Sequence, residues 1–541
     1  MAAQVPTIRT LTTLLLLTTA GAFSCRTPQS QSPRDAQTDQ GPSPSDDAAS
    51  SDASTPVVLN PPHTFVTLFK WRYKDIATEC ARFLGPNGYG GVQISPPNPH
   101  ITRSAWWNMY QPTNFTNLVS DQGNEADLRD MISACHKAGV RVYADAVVNH
   151  MTGTSGVGTD GAPFAGATSY LGGITPTFFH PDCAIQGSDY DTNRNNVVTC
   201  RLVSLPDLAT ETAPVRALIA GYLGKLRDLG IDGYRIDAAK HMWATDIQAF
   251  LAGVPTTTLA GEPLFIAQEI IPDGTVNRSD YFVNGTINEF SYTYALRDAF
   301  RSAGGASVGQ LPAMVGTGDG GGTRQVVPSA SATVFVNNWD TERDEGQSLN
   351  LTSDAGGHYD LANIYMLASP YGRANVESGF SFLRTGASGG SDANAPAASP
   401  YDATGNAVIT TTCASAAACG WDFVHRWTTV YPMVAFRNAA ASQPMTDVQT
   451  GNANQLAFGR GAVGFVAINN DGAASWNTTF TTGLPAGTYC NIIHGLLSAD
   501  GKTCAADSVT VNDSGAFTAT MGPLGGTNLP AIAIYTGQKV R

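Results

Sequence analysis

Charge is scarce in this chain. Of its 541 residues only 14% are Asp, Glu, Lys or Arg, and 44 acidic against 31 basic side chains leave a formal net charge of -13. No stretch gathers Lys or Arg into a cluster, which argues against a nucleic-acid or anionic-membrane partner, because both need concentrated cations. No apolar run is long enough to span a bilayer as a helix; residues 11–20, behind Arg9, have instead the length of a signal-peptide core. No pair of cysteines two residues apart offers zinc spacing, although nine cysteines are present. What remains is a large, folded, mildly acidic chain with 42% apolar residues and 56 glycines, better suited to export than to the cytosol. A neutral polar ligand or a cation suits its charge best.

The small residues Gly21, Ala22 and Ser24, interrupted by Phe23, lead to Cys25 in the manner of a bacterial lipoprotein cleavage site, which would make Cys25 the lipidated N-terminus. An ordinary signal peptide is the alternative. Residues 26–57 are nearly all Ser, Pro, Asp, Gln, Thr and Ala, a composition too polar to offset the entropy of ordering and apt for a tether. With Cys25 set aside, an even set is left: Cys80, Cys135, Cys183, Cys200, Cys413, Cys419, Cys490 and Cys504. Many pairings are open. The nearest-neighbour scheme joins Cys183 to Cys200, Cys413 to Cys419 and Cys490 to Cys504, with one long link from Cys80 to Cys135.

From residue 64 short apolar runs alternate with helical stretches. Strands are expected at 64–71, 91–95, 140–148, 233–237, 264–269, 286–290, 333–337 and 379–383, and helices at 75–84, 125–138, 213–229, 292–302 and 358–367. Eight buried strands interleaved with helices imply an α/β fold of the parallel (β/α)8 barrel (TIM barrel) type. Residues 151–206, rich in Gly, Pro, Thr and Asp, form an insertion after the third strand, splitting the barrel into 58–150 and 207–438. Residues 439–541 change to short alternating strands, among them 455–458, 464–469 and 531–535, and imply a C-terminal antiparallel β-sandwich.

Barrel enzymes carry their reactive groups at the C-terminal ends of strands. The third run ends in Asn149 and His150, the fourth carries Arg235 and Asp237 followed by Lys240 and His241, the fifth ends in Glu269, and the seventh leads through Asn338 and Trp339 to Asp340. Any one carboxylate alone could be structural or a helix cap. Asp237, Glu269 and Asp340 together, on three strand ends of one rim, are far more specific.

These segments resemble the motifs of the alpha-amylase family of glycoside hydrolases, in particular its animal-type members and their bacterial relatives. The likeness extends through residues 84–97, the aromatic stretch Trp106, Trp107, Tyr110, Gln111 and Pro112, and residues 457–461 and 488–490 of the terminal module. The resemblance implies a secreted or cell-surface alpha-amylase that cleaves internal alpha-1,4-glucosidic bonds of starch or glycogen with retention. Asp237 would be nucleophile, Glu269 general acid/base and Asp340 transition-state stabiliser, with Arg235 keeping Asp237 ionised. Two carboxyl groups in different protonation states suit acetal cleavage, and a retaining enzyme sets them about 5 Å apart. Trp106, Trp107, Tyr110, Gln111, His150, Arg235, Lys240, His241 and Trp339 would line the sugar site. The resemblance also implies Ca2+ held by Asn149, Asp207 and main-chain carbonyls of His241 and Val198, the insertion being the calcium-binding domain. The family's disulfide pairing agrees with the nearest-neighbour scheme. A monomer is expected.

Two positions depart from the pattern. Trp339 stands where the family carries a His, so altered sugar binding is expected. In chloride-binding members a basic residue joins the equivalents of Arg235 and Asn338, whereas here that place holds Asn375, with Arg373 two residues away and able to substitute if the loop shifts. Chloride-independent activity is therefore expected. The loop after Asp340 also lacks the family's glycine-rich segment. Two other readings share the scaffold: an alpha-glucan transglycosylase, and a non-catalytic tethered glucan-binding protein.

Overall fold

The computed structural model describes residues 59–541 apart from 345, 352, 353, 355, 383–394, 397 and 409–419. Cys25, Cys413 and Cys419 therefore lie outside the described residues, as do the expected signal and tether. Eight parallel strands close into a barrel: β1 (Thr64–Leu68), β2 (Gly91–Ile94), β3 (Arg141–Ala146), β4 (Gly233–Ile236), β5 (Phe265–Gln268), β6 (Thr286–Asn288), β7 (Ala332–Val334) and β8 (Arg373–Ser378). Helices α1 (Tyr73–Glu79), α2 (Glu125–Lys137), α3 (Ala213–Asp228), α4 (Ala244–Leu251), α5 (Phe290–Phe300), α6 (His358–Ala368) and α7 (Tyr431–Ala439) follow strands one to four and six to eight.

The helices form where apolar residues recur on one face, and α2 also carries a side-chain cap. In α2, Asn124 accepts from the Asp127 backbone N–H while Asp127 answers the Asn124 N–H, and Leu128, Met131, Ile132 and Cys135 are buried at helical spacing. In α3, Val215, Ile219, Tyr222, Leu223 and Leu226 make the same kind of inward face. The expected helix 75–84 is α-helical only to Glu79 and continues as a π-helical turn, Cys80–Leu84.

The eighth strand is a correction. It is not 379–383 but Arg373–Ser378, which pairs residue by residue with β1. Its inward positions are polar, with Asn375 hydrogen-bonded to Thr67 and Glu377 buried, so it has no apolar run to announce it. At the N-terminal end the barrel is plugged by aromatics: Phe65 and Tyr143 stand 5.4 Å apart, Tyr143 and Phe265 4.8 Å apart, and the Arg373 guanidinium lies over Phe265 at 4.1 Å. Above this plug the interior turns polar, so the open C-terminal end becomes the reactive face.

The insertion holds a small hairpin, Ser155–Val157 with Pro163–Ala165, two short helices and the Cys183–Cys200 disulfide. Cys80–Cys135 and Cys490–Cys504 also form as the nearest-neighbour scheme expects. The C-terminal module is all-β. Strands β9 (Met445–Thr450), β10 (Gln455–Arg460), β11 (Gly464–Asn469) and β16 (Ala531–Tyr535) make one antiparallel sheet. β12 (Trp476–Thr481) pairs with β15 (Ala516–Met521), and β13 (Gly487–Cys490) with β14 (Ser508–Val511). Phe465, Trp476, Phe480, Phe517 and Ile534 fill a core of its own.

Candidate active site

Strand alternation aims Arg235 and Asp237 of the β4 segment at the barrel interior, and the register sets Arg235 beside Asp145 on one side and Ala267 on the other. Gly233 is the start of this strand for a steric reason: a Cβ there would stand 2.2 Å from the Phe265 carbonyl oxygen.

Arg235 is buried and organises the site. Its Nη1 donates to Asp145 Oδ1 at 2.8 Å and to Asp237 Oδ1 at 2.6 Å, while its Nη2 meets Glu269 Oε1 at 2.7 Å. Asp237 and Glu269 thus stand side by side on one planar fork. Glu269 Oε2 also accepts the Ala238 backbone N–H at 2.9 Å. Ala238 has φ of 48°, a left-handed conformation uncommon outside glycine, and this turn directs its N–H at the carboxylate.

Burial pushes the carboxyl groups of both Asp237 and Glu269 up, and the Arg235 charge pulls each back; the Asp237 charge raises Glu269 further. The Ala238 N–H and the Lys240 charge pull Glu269 down in turn, and both carboxyls end above their usual range. Asp340 opens to solvent within the rim. The surrounding protein and then the charges of Glu269 and Asp237 push its carboxyl up, a push that its open face lets water temper. Its turn is fixed by Asn338, whose Oδ1 accepts from the Asp340 and Thr341 N–H groups at 3.1 and 2.8 Å.

Of the expected sugar-site residues, Trp106, Trp107, Tyr110 and Gln111 are partly exposed on the loop after β2. Lys240 pairs with Asp273 at 3.3 Å and lies over Tyr190. His150 Nε2 donates to the Tyr110 carbonyl at 3.0 Å. Trp339 is only 3% exposed, its ring lying against Phe69, Tyr110 and the Arg235 guanidinium. Arg373 does not stand in at Asn375, since it belongs to the plug below. Three participants were not identified from sequence. Asp145 lay inside an apolar run, where only inward register reveals it; Ala238 has no sequence signal; and Phe69 reads as ordinary core.

Asn149 and Asp207 meet where barrel and insertion join, Asn149 Nδ2 donating to Asp207 Oδ1 at 3.3 Å. Asn149 Oδ1 is buried without a hydrogen-bond partner. Burial pushes the Asp207 carboxyl up to about 7 despite the hydrogen bond from His180. A buried carboxylate short of positive charge beside an orphaned amide oxygen fits a hard cation. His241 Nδ1 donates to the Val197 carbonyl at 2.9 Å, so the imidazole is engaged there. Among the described residues no three His, Cys, Asp or Glu side chains gather as a metal cluster, so such an ion would rely on Asn149, Asp207 and main-chain carbonyls.

Paired carboxylates on one guanidinium at a barrel rim define the class: a glycoside hydrolase. The catalytic-domain model of alpha amylase matches residues 95–263, and the alpha amylase C-terminal all-beta domain model matches 446–529. An alpha-amylase of Pecten maximus is 38% identical over 503 residues, covering 90% of this chain and 95% of that protein. The pancreatic alpha-amylase of Sus scrofa is also 38% identical, covering 88% of this chain and 95% of its own. The crystal structure of wild-type alpha-amylase I from Eisenia fetida superposes with a TM-score of 0.77 at 31% identity, covering 88% of this chain and 98% of that one. The chain belongs to the alpha-amylase family of glycoside hydrolases.

Proposed function

We propose that the protein is an exported alpha-amylase that hydrolyses internal alpha-1,4-glucosidic bonds of starch or glycogen with retention. The observation that carries this reading is the shared Arg235 fork. Asp237, whose charged form Arg235 favours against burial, attacks the anomeric carbon while Glu269 gives its proton to the departing glycosidic oxygen; Glu269 then takes a proton from the water that releases the sugar. Asp340 meets the positive charge that develops on the ring. Trp106, Trp107 and Tyr110 offer flat faces to glucose rings, and Gln111, His150, Lys240 and His241 hydrogen-bonding groups.

Reducing-sugar release from soluble starch, by wild type and the Glu269→Gln variant, tests this. Wild type is expected to release sugar and the variant to lose about a thousandfold in kcat, within the range general acid–base catalysis contributes. Equal inertness overturns the enzyme reading, and redistribution of oligosaccharides without net release points to the transglycosylase. Because Asn375 brings no cation to Arg235 and Asn338, the same assay is expected to proceed equally with and without chloride; strict dependence overturns that part.

Asn149, Asp207 and the carbonyls of Val198 and His241 are proposed to hold Ca2+. The ion would supply structural cross-bracing between barrel and the inserted domain, residues 151–206. Chelation is expected to lower the thermal midpoint and added Ca2+ to restore it; an unchanged midpoint rules the site out. The N-terminal 57 residues are proposed to export and tether a monomer through Cys25, and the intact mass of the mature protein distinguishes a lipidated from an unmodified cysteine.

A further inference from the structure

One guanidinium holds both reacting carboxylates from different nitrogens. A tilt of its plane therefore moves Asp237 and Glu269 in opposite senses, and something must hold that plane. The ring of Trp339 lies over the Arg235 guanidinium at 4.9 Å. The same indole stacks on Phe69 at 5.3 Å with 3° between the planes and on Tyr110 at 6.0 Å and 24°. Tyr110 closes the circuit, because its hydroxyl donates at 2.7 Å to Asp145 Oδ2, the third carboxylate on Arg235. The backbone of Trp339 is pinned as well, its carbonyl accepting from Arg343 Nη1.

We propose that Trp339 is a positioning residue: its aromatic face, stacked with Phe69 and Tyr110, holds the Arg235 fork in the plane that sets nucleophile and acid/base side by side. The inference rests on the hydrolase reading above. Phe69, Tyr110 and Arg235 cover the ring and leave the residue 3% exposed, so the cation is what its face meets here, and the KM readout below separates this from a sugar contact. Simple core filling does not account for it, because an aliphatic side chain fills volume equally well but offers no electron-rich face to a cation. Misplacement of a reacting group by about 1 Å costs as much as a hundredfold in rate, so a modest tilt would be visible in turnover.

The experiment compares full-length wild type with Trp339→Phe, which keeps a flat ring, and Trp339→Leu, which keeps apolar volume alone. kcat and KM on soluble starch are measured beside the thermal midpoint. The Phe variant is expected to stay within about threefold of wild type in kcat, and the Leu variant to lose about tenfold, equivalent to about 1.4 kcal/mol, with KM little changed. Phe69→Leu leaves Trp339 in place and loosens its stack; it is expected to lower kcat in the same sense by less, and serves if the Leu variant at 339 does not fold. Equal kcat in the Phe and Leu variants overturns the proposal, as does a loss carried by KM, which marks a sugar contact, or a rise in kcat, which marks an obstruction. Wild type that releases nothing from starch overturns the hydrolase reading, and the proposal with it.

Discussion

Three carboxylates share the single positive charge of Arg235, and that imbalance sets how the site titrates. Asp145 is fully buried; burial and the charge of Asp237 push its carboxyl up, and Arg235 opposes them. Together they bring Asp145 up to about 7, with an ionised Asp237 among the causes, so Asp237 loses its proton first and Asp145 is still neutral through that step. Asp237 must be charged to attack, and its ionisation governs the acid limb of kcat/KM. Asp145→Asn leaves an oxygen to accept from Arg235 and Tyr110 and removes a negative charge only above about pH 7. The acid limb is therefore expected to stay in place, while the alkaline limb, set by protonated Glu269, moves to lower pH because Arg235 no longer shares its charge with Asp145. A pH profile of kcat/KM decides it, and an unmoved alkaline limb counts against the shared-charge account. Asp237, Glu269, Asp340 and Arg235 were legible in the sequence because each ends or nearly ends an apolar run at a strand terminus. The orientation of Trp339 was not, since one letter cannot tell a ring facing sugar from a ring facing a buried cation.

Among the elements, legibility followed the chemistry of the barrel's interior. β1 to β7 were readable because their outward positions pack under helices and are apolar, leaving runs such as Val92 with Ile94 or Val142 with Ala144. β8 failed that test. Arg373, Asn375 and Glu377 all sit on its inward face, and a strand that alternates Arg, Ala, Asn, Val, Glu, Ser reads as a polar loop. Arg373 is met by an aromatic ring and Asn375 by Thr67, whereas both Glu377 carboxyl oxygens are buried without a hydrogen-bond partner and burial pushes the group up towards its neutral form. The more apolar residues after it read as the strand because they carry the stronger hydrophobic signal in this stretch. Barrel closure resolves the matter, since β1 must pair on its free edge, and the register Thr64 to Ala374 through Leu68 to Ser378 supplies that partner.

At the scale of the whole molecule, the chain must hold its beginning to its end, and a buried acid does so. Glu79 closes α1; His425 and Arg426 lie far along the chain, in the turn Val424–Arg426 before α7. Glu79 Oε1 accepts from His425 Nε2 at 2.8 Å and Glu79 Oε2 from Arg426 Nη2 at 2.6 Å, with the Tyr401 hydroxyl also donating to Oε2. His425 receives the Ser378 hydroxyl on Nδ1 at 2.7 Å, at the end of β8, and burial holds it toward the neutral form. The ion pair proper is therefore Glu79 with Arg426, and His425 contributes a hydrogen bond. Burial pushes the Glu79 carboxyl up, but these partners outweigh it and bring it down from 4.5 to about 2. A carboxyl lowered on folding stabilises the protein above its unfolded pKa, and that stability is lost as pH falls from about 4.5 towards 2. Glu79→Gln is expected to cost roughly 3 kcal/mol at neutral pH, because it leaves Arg426 without its buried counter-charge. The gap in thermal midpoint between wild type and variant is expected to narrow steadily through that acid window, as wild type gives up what the variant never had. Melting curves recorded from pH 7 to pH 2 measure it directly, and a gap that stays constant with pH would show that Glu79 braces the first helix to the end of the barrel by packing alone.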